Sequence, residues 1–463
     1  MSDHGKLAEG ALGASESVIM GVAGTAPAFS VAATTATLVA AVGVLSAASI
    51  LYCGLIMFGV TLAFMHLNKT EVNAGASYAW VSREFNKTIG FFAGWALLVG
   101  SAVFMVSGTI PAATATLMLF APQLAEQPVW VTTIAAGWLL AVSAVIVKGI
   151  KATSYTQIVM TVLEVGILLF IIIAGIIEFS SHPAHTISWA QFSPLAFSPA
   201  TFATGALTAL FFFWGWDVTV NLNEETRDAA STSGRSAIWT MLIVALLFIT
   251  FVIAALMVLT DAEIEKSSTN VVFALAEKLF PRPWSYMAVL AVMLSSIGTL
   301  ETSILQFTRT LFALGRDGSL HARYGKLHQS WRTPWVATLV IAVLGTTFLL
   351  LSSNFPTVNV IIKDSVNAIG FQVAFYYSLA GLACVWHYRK TALDSASNFL
   401  LLFLWPLLSA VFLIFIAIYS IPTFDLTTNI VGLGGIAIGI VPLLSNRWRL
   451  RKLAESGCAQ VRA

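Results

Sequence analysis

The chain is a succession of apolar runs, each about twenty residues or longer, joined by short polar connections. Runs of that length suit α-helices crossing a hydrocarbon core about 30 Å thick. Lipid offers backbone N–H and C=O groups no hydrogen-bond partner, so a spanning segment must satisfy its own as a helix or in a closed barrel. Strand-length segments of alternating polarity are missing from the sequence, which excludes the barrel. Composition agrees: 58% of the 463 residues are hydrophobic and 10% charged, against about a quarter charged in soluble domains. Mean hydropathy is +0.85, more apolar surface than a water-soluble fold can hide.

The runs predict an all-α membrane protein of twelve transmembrane helices. TM1 to TM5 fall at residues 17–46, 47–67, 85–119, 130–147 and 154–178. TM6 to TM10 fall at 200–222, 236–260, 284–314, 335–352 and 359–386, with TM11 and TM12 at 396–418 and 427–446. The domain reading follows: a cytoplasmic tail over 1–16, a first five-helix block over 17–178, a second over 200–386, a final pair over 396–446 and a cytoplasmic tail over 447–463. Lys and Arg set the orientation. With the N-terminus inside, every second connection is basic. Of the 24 Lys and Arg, only Lys266, Lys278, Arg282 and Lys363 fall outside. Twenty therefore lie inside, which places both termini in the cytoplasm of a cell with an inner membrane and the Pro122, His182 and Thr423 connections outside. No connection is long enough to be a separate soluble domain.

A net charge of +2 leaves no electrostatic footprint for nucleic acid. The three cysteines, Cys53, Cys384 and Cys458, form neither a disulfide framework nor a metal spacing. His182 and His185 lack metal-ligand company and read as part of a solvated outer loop. Residues 1–17 do not follow the pattern of a cleaved signal peptide. No cofactor is expected.

Two spans carry breaks at matching positions. TM1 holds Gly21-Val22-Ala23-Gly24-Thr25-Ala26-Pro27; glycine costs about 1 kcal/mol and proline about 3 in a helix interior. The segment reads as non-helical backbone whose free groups a ligand satisfies, or as a close-packing face of small residues. TM6 centres on Phe211-Phe212-Phe213-Trp214-Gly215-Trp216-Asp217, a glycine among bulky aromatics with a carboxylate behind it. TM6 opens the second block as TM1 opens the first, and paired interruptions are the best sequence pointer to a transporter binding site. Half-helix N-termini there favour a substrate carboxylate, and carbonyl ends and acids favour an ammonium. The aromatics are either a cation-binding wall or lipid-facing, and Asp217 either a polar contact near substrate or a helix cap.

Phe213-Trp214-Gly215-Trp216-Asp217, followed by Asn223-Glu224-Glu225-Thr226-Arg227-Asp228, resembles the TM6 signature of the amino acid/polyamine/organocation (APC) transporters. Asn73-Ala74-Gly75-Ala76-Ser77-Tyr78-Ala79-Trp80 with Gly90-Phe91-Phe92-Ala93-Gly94-Trp95 resembles that family's approach to TM3. Phe307-Thr308-Arg309, Phe312-Ala313-Leu314-Gly315-Arg316-Asp317-Gly318 and Thr333-Pro334 resemble its TM8 end. The resemblance implies a five-plus-five inverted repeat (LeuT-like) with broken TM1 and TM6, alternating access and a substrate with an amino group. It implies Gly21, Ala23, Gly24, Thr25, Ala26, Phe213, Trp214, Gly215, Trp216 and Asp217 as substrate-binding residues. Gly24-Thr25-Ala26-Pro27-Ala28 departs from the Gly-Ser-Gly-Ile-Phe type of run in many relatives, so an α-amino acid specificity does not simply transfer.

Glu164 in TM5 and Glu301 in TM8 are acids inside apolar helices, each costing roughly 2.5 to 3.5 kcal/mol to insert. Both are candidates for proton coupling, against a structural reading as protonated acids bonded to a neighbouring helix. Glu164 falls where several proton-coupled relatives carry a lysine in place of a sodium ion; sodium bound with Ser295, Ser296 or Thr299 is the competing reading. Glu224 and Glu225 read as a cytoplasmic gate or a capped helix end, and Lys363 with Asp364 as a rim pair. The expected function is secondary transport of an amino acid or related organic amine, driven by protons or exchange, by a monomer or homodimer in the bilayer. Polyamine transport is the alternative. No Gly-Lys-Ser/Thr nucleotide loop, no paired catalytic groups and no added signalling domain speak for ATP drive, an enzyme or a sensor.

Overall fold

The computed structural model describes residues 5–352 and 358–460, and within these the side chains of Leu207, Phe211, 358–363 and 453–460 are outside the description. The expectations for Phe211, Lys363, Cys458 and Arg462 lie there. The first block comprises α1 (Ala14–Gly24), α2 (Pro27–Val42), α3 (Ser46–Thr70), short α4 (Ser77–Glu84), α5 (Lys87–Phe120), α6 (Pro128–Val147) and α7 (Ile150–Phe179). The second comprises α8 (Pro199–Phe211), α9 (Val218–Asn221), α10 (Ala229–Val258), two short helices α11 (Asp261–Ser267) and α12 (Val271–Leu279), α13 (Met287–Arg316), α14 (Trp335–Ser352) and α15 (Val358–Tyr388). Then α16 (Ala396–Asn398) continues through a π-turn into α17 (Trp405–Ser420). Likewise α18 (Leu426–Asn429) continues through a π-turn into α19 (Gly435–Ala437), and α20 (Ile440–Gln460) closes the chain.

Ten helical stretches among the described residues are long and apolar enough to cross a membrane, the first being the 57-residue Ala14–Thr70. The TM6 region is not one of them, because it is split into α8 and α9. Polar residues point inward. On α7, Gln157, Thr161 and Glu164 are buried while Val159, Val162, Leu163, Phe170 and Ile173 are exposed, as expected where lipid surrounds the bundle.

Contacts between connections sort into two ends. At one end Arg316 meets Glu224, Thr333 meets Val147, His387 meets Glu84 and Arg447 meets Thr88. At the other, Tyr52 donates to Phe192 O and the Ala184 N–H to Met257 O. The connections rich in Lys and Arg thus share one end.

Three expectations change. The TM1 interruption is narrower than Gly21–Pro27: helix persists through Gly24 and restarts at Pro27, leaving Thr25 and Ala26 outside. Proline suits the first helical position, where its missing N–H has no partner to lose. The helix of the last span does not stop at 446, since α20 runs over residues 440–460 into the segment read as the C-terminal tail. His185 is not simply solvated: its Nδ1 lies 2.8 Å from Leu256 O and its Nε2 3.1 Å from Asp261, tying the loop to the end of α10 and the start of α11.

Candidate functional site

The two interruptions pack directly on each other. A Cβ on Gly24 would lie 2.2 Å from Gly215 O, and one on Gly215 would lie 2.1 Å from Gly24 O. Only glycine permits that approach, and Gly215 also has φ +102°, a conformation L side chains rarely adopt. Between α1 and α2, Ala26 holds φ 49°, an uncommon left-handed conformation for a residue with a side chain. The TM6 interruption covers Phe212 to Asp217, as its aromatic-glycine run suggested.

Ala26 has no side chain with which to cap α2, so other helices supply the cap. The Ala28 N–H donates to Glu164 Oε1 (3.0 Å) and the Phe29 N–H to Ser295 Oγ (3.1 Å). Ser295 also hydrogen-bonds Glu164, and Thr299 donates to Gly24 O (3.0 Å). Glu164, from α7, therefore sits at the positive end of α2, where the helix dipole favours an anion. Glu301 on α13 is also buried, and its Oε1 has no hydrogen-bond partner among the described residues.

Asp217 is buried and makes no capping bond, which removes the cap reading. Its carboxylate accepts from Tyr376 and Tyr377, both at 2.9 Å, and bonds Gln306. The Trp214 Nε1–H donates to Tyr376 Oη (3.1 Å), giving a chain Trp214, Tyr376, Asp217. Phe213, Trp214 and Trp216 are buried, so the lipid-facing reading also falls. Sequence reasoning missed Tyr376, Tyr377 and Gln306; adjacent tyrosines in an apolar helix, each needing a partner for its hydroxyl, were the available signal.

A cavity of 540 Å³ reaches the TM6 interruption at Trp214. Thr34 and Thr37 of α2, Thr204 and Thr208 of α8, Asn367 of α15 and Trp214 supply much of its polar lining, with Ser268, Thr269 and Thr423 from the connections. Of the ten predicted binding residues only Trp214 lines it. Gly24, Gly215 and Asp217 do not line it; Asp217 is joined to Trp214 through Tyr376.

The opposite end carries two ion pairs, beside a pocket lined by Asn223, Glu224, Arg227 and Arg316. Glu225 and Arg309 are fully buried and joined by two bonds of 2.8 Å, so Arg309, one of the twenty Lys and Arg assigned to the inside, is a core residue rather than a loop charge. Arg316 holds both oxygens of Glu224 at 2.9 Å, and the Ala74 N–H donates to Glu224 Oε1 (2.9 Å). The N-terminal segment lies over this cluster, with the Leu12 N–H donating to Glu225 O (2.9 Å) and the Arg227 N–H to Leu12 O (2.8 Å).

The sequence is similar to known proteins along most of the chain. The low-affinity putrescine importer PlaP of Escherichia coli (strain K12) is 23% identical over 365 residues, 74% of each chain. The serine/threonine exchanger SteT of Bacillus subtilis (strain 168) is 24% identical over 343 residues, 72% of each. Human solute carrier family 7 member 13 is 23% identical over 312 residues, 67% of this chain and 66% of the relative. The family model described as amino acid permease matches residues 14–441, and with two interrupted helices packed on each other at Gly24 and Gly215 the chain belongs to the amino acid permease family of the APC superfamily.

Proposed function

We propose that this permease moves one small amine-bearing substrate by alternating access, in a twelve-span, five-plus-five inverted-repeat arrangement with both termini in the cytoplasm of an inner membrane. The cavity mouth then faces outward, and the Glu225–Arg309 and Glu224–Arg316 pairs form the cytoplasmic gate. The observation that carries this reading is the contact of Gly24 with Gly215: the two interruptions form a joint next to Trp214, which lines the cavity, so a rearrangement of either half reaches the site. The proposed substrate contacts are the Gly21, Ala23, Gly24, Thr25 and Ala26 backbone and the segment of Phe213, Trp214, Gly215, Trp216 and Asp217. Access from the outside runs down the cavity to Trp214.

Glu164 is the proposed coupling residue, with Glu301 as a second carboxyl on the neighbouring helix. Glu164 bonds the first turn of α2, so a change in its charge acts directly on the half-helix that lines the cavity. Sodium is the second reading, favoured by Ser295 lying against the same turn and Thr299 against the end of α1. Proteoliposomes carrying wild type and Glu164→Gln separate them. Loss of accumulation under a pH gradient with retained exchange supports proton coupling; strict sodium dependence of the wild type overturns it in favour of the ion site.

A further inference from the structure

We infer, on the reading of this site as an amine-transport site, that the pocket takes a monoamine with an uncharged body and selects against a substrate carboxylate, because Glu164 already holds the anion position. A helix N-terminus in mid-membrane collects anions through its free N–H groups and its dipole. At α2 those groups are spent. Pro27 has no N–H, Ala28 donates to Glu164 Oε1 (3.0 Å), Phe29 to Ser295 Oγ (3.1 Å) and Ser30 to Ala26 O (2.7 Å). Immediately upstream, the Thr25 N–H donates to Val22 O (3.1 Å), the Ala26 N–H to Ala23 O (3.0 Å) and the Thr25 hydroxyl to Val22 O (2.8 Å). Every N–H from Thr25 to Ser30 is thus committed within the protein. A substrate carboxylate brought here would lack donors, and whenever Glu164 is ionised it would meet a like charge, which disfavours it further.

The cavity walls tell the same way. Its described lining includes no Lys, Arg or His to neutralise a carboxylate. It includes no Asp or Glu either, so the second ammonium of a diamine finds no counter-ion. What it offers one ammonium is the Trp214 ring, an indole that attracts cations through its face. The Trp214 N–H bonds Tyr376, which donates to Asp217 (2.9 Å), so a carboxylate stands one hydroxyl away. The rest of the lining, with Met57, Ile369, Phe371 and Leu413 among threonines, suits an apolar or hydroxylated body.

Matched pairs that differ only by the carboxylate test this: leucine against 3-methylbutylamine and serine against ethanolamine, with putrescine as the diamine. Each competes in counterflow into proteoliposomes and is scored by thermal shift of the purified protein. The expected result is at least about tenfold tighter binding of the amine in each pair, with putrescine weaker than 3-methylbutylamine. Glu164→Ala, which frees the Ala28 N–H and removes the charge, should shrink that preference. Glu164→Gln keeps a hydrogen-bond acceptor at Ala28 and serves if the alanine variant does not fold. Amino acids binding as well as their amines, or a preference unchanged in both variants, overturns the inference while leaving the transporter reading intact. A panel in which no compound competes or shifts the melting temperature overturns the amine reading itself.

Discussion

Removing Arg309 tests the proposed gate most directly. Arg309 and Glu225 have no exposed side-chain surface and share two bonds of 2.8 Å. Arg309→Met keeps the bulk of the side chain but leaves the Glu225 carboxylate buried without its partner, a change that costs about 3–5 kcal/mol. With an unfolding entropy of about 2.1 cal/mol/K per residue, the 463-residue chain loses about 1 kcal/mol per degree. Tm should therefore fall by about 3–5 °C in Arg309→Met. The double variant Glu225→Met with Arg309→Met removes both charges together and should recover most of that loss. A cysteine placed at Asn223, buried beside the pair, should react with a cytoplasmic-side thiol reagent faster in the single variant than in the parent. The assay is thermal unfolding of detergent-purified protein together with labelling rates. A double variant as unstable as the single one would show that the pair is not coupled, and unchanged labelling would show that it does not hold this end shut.

The glycine joint is equally testable: Gly215→Ala places a Cβ 2.1 Å from Gly24 O at φ +102°, so transport should be lost, whereas Gly137→Ala, which meets nothing within 4 Å, should leave uptake near the parent value. In the connection between α10 and α13, bonds from Lys278 and from the Thr260 backbone hold the Glu263 carboxyl at about 2, below its ordinary 4.5. A depressed carboxyl stabilises the folded form above the unfolded value, so that contribution is intact at neutral pH and declines as pH falls from about 4.5 through about 2. Hydrogen exchange of α11 and α12 should accelerate across that window, and Glu263→Gln should be less protected at pH 7 with a flatter acid response.

Much of the architecture is legible in the sequence because lipid punishes local errors. Apolar length, basic alternation and paired glycine-containing interruptions are written in consecutive residues, and the structure places helices close to the expected bounds, with α14 at 335–352 as read. Glu164 also announces itself, since a carboxyl in an apolar run needs a partner wherever it lands. What its partner is depends on folding: Ala28 lies 136 residues away, and no periodicity connects them. The same holds for Asp217 with Tyr376 and Tyr377, 159 and 160 residues apart, and for Arg309, which looks like a loop charge until Glu225 is found 84 residues before it. The sequence identifies the groups that cannot be left alone in a membrane. Only the tertiary structure decides which of them satisfy one another, because hydrogen bonds and ion pairs across packed helices depend on distances set by the whole bundle rather than on chain order.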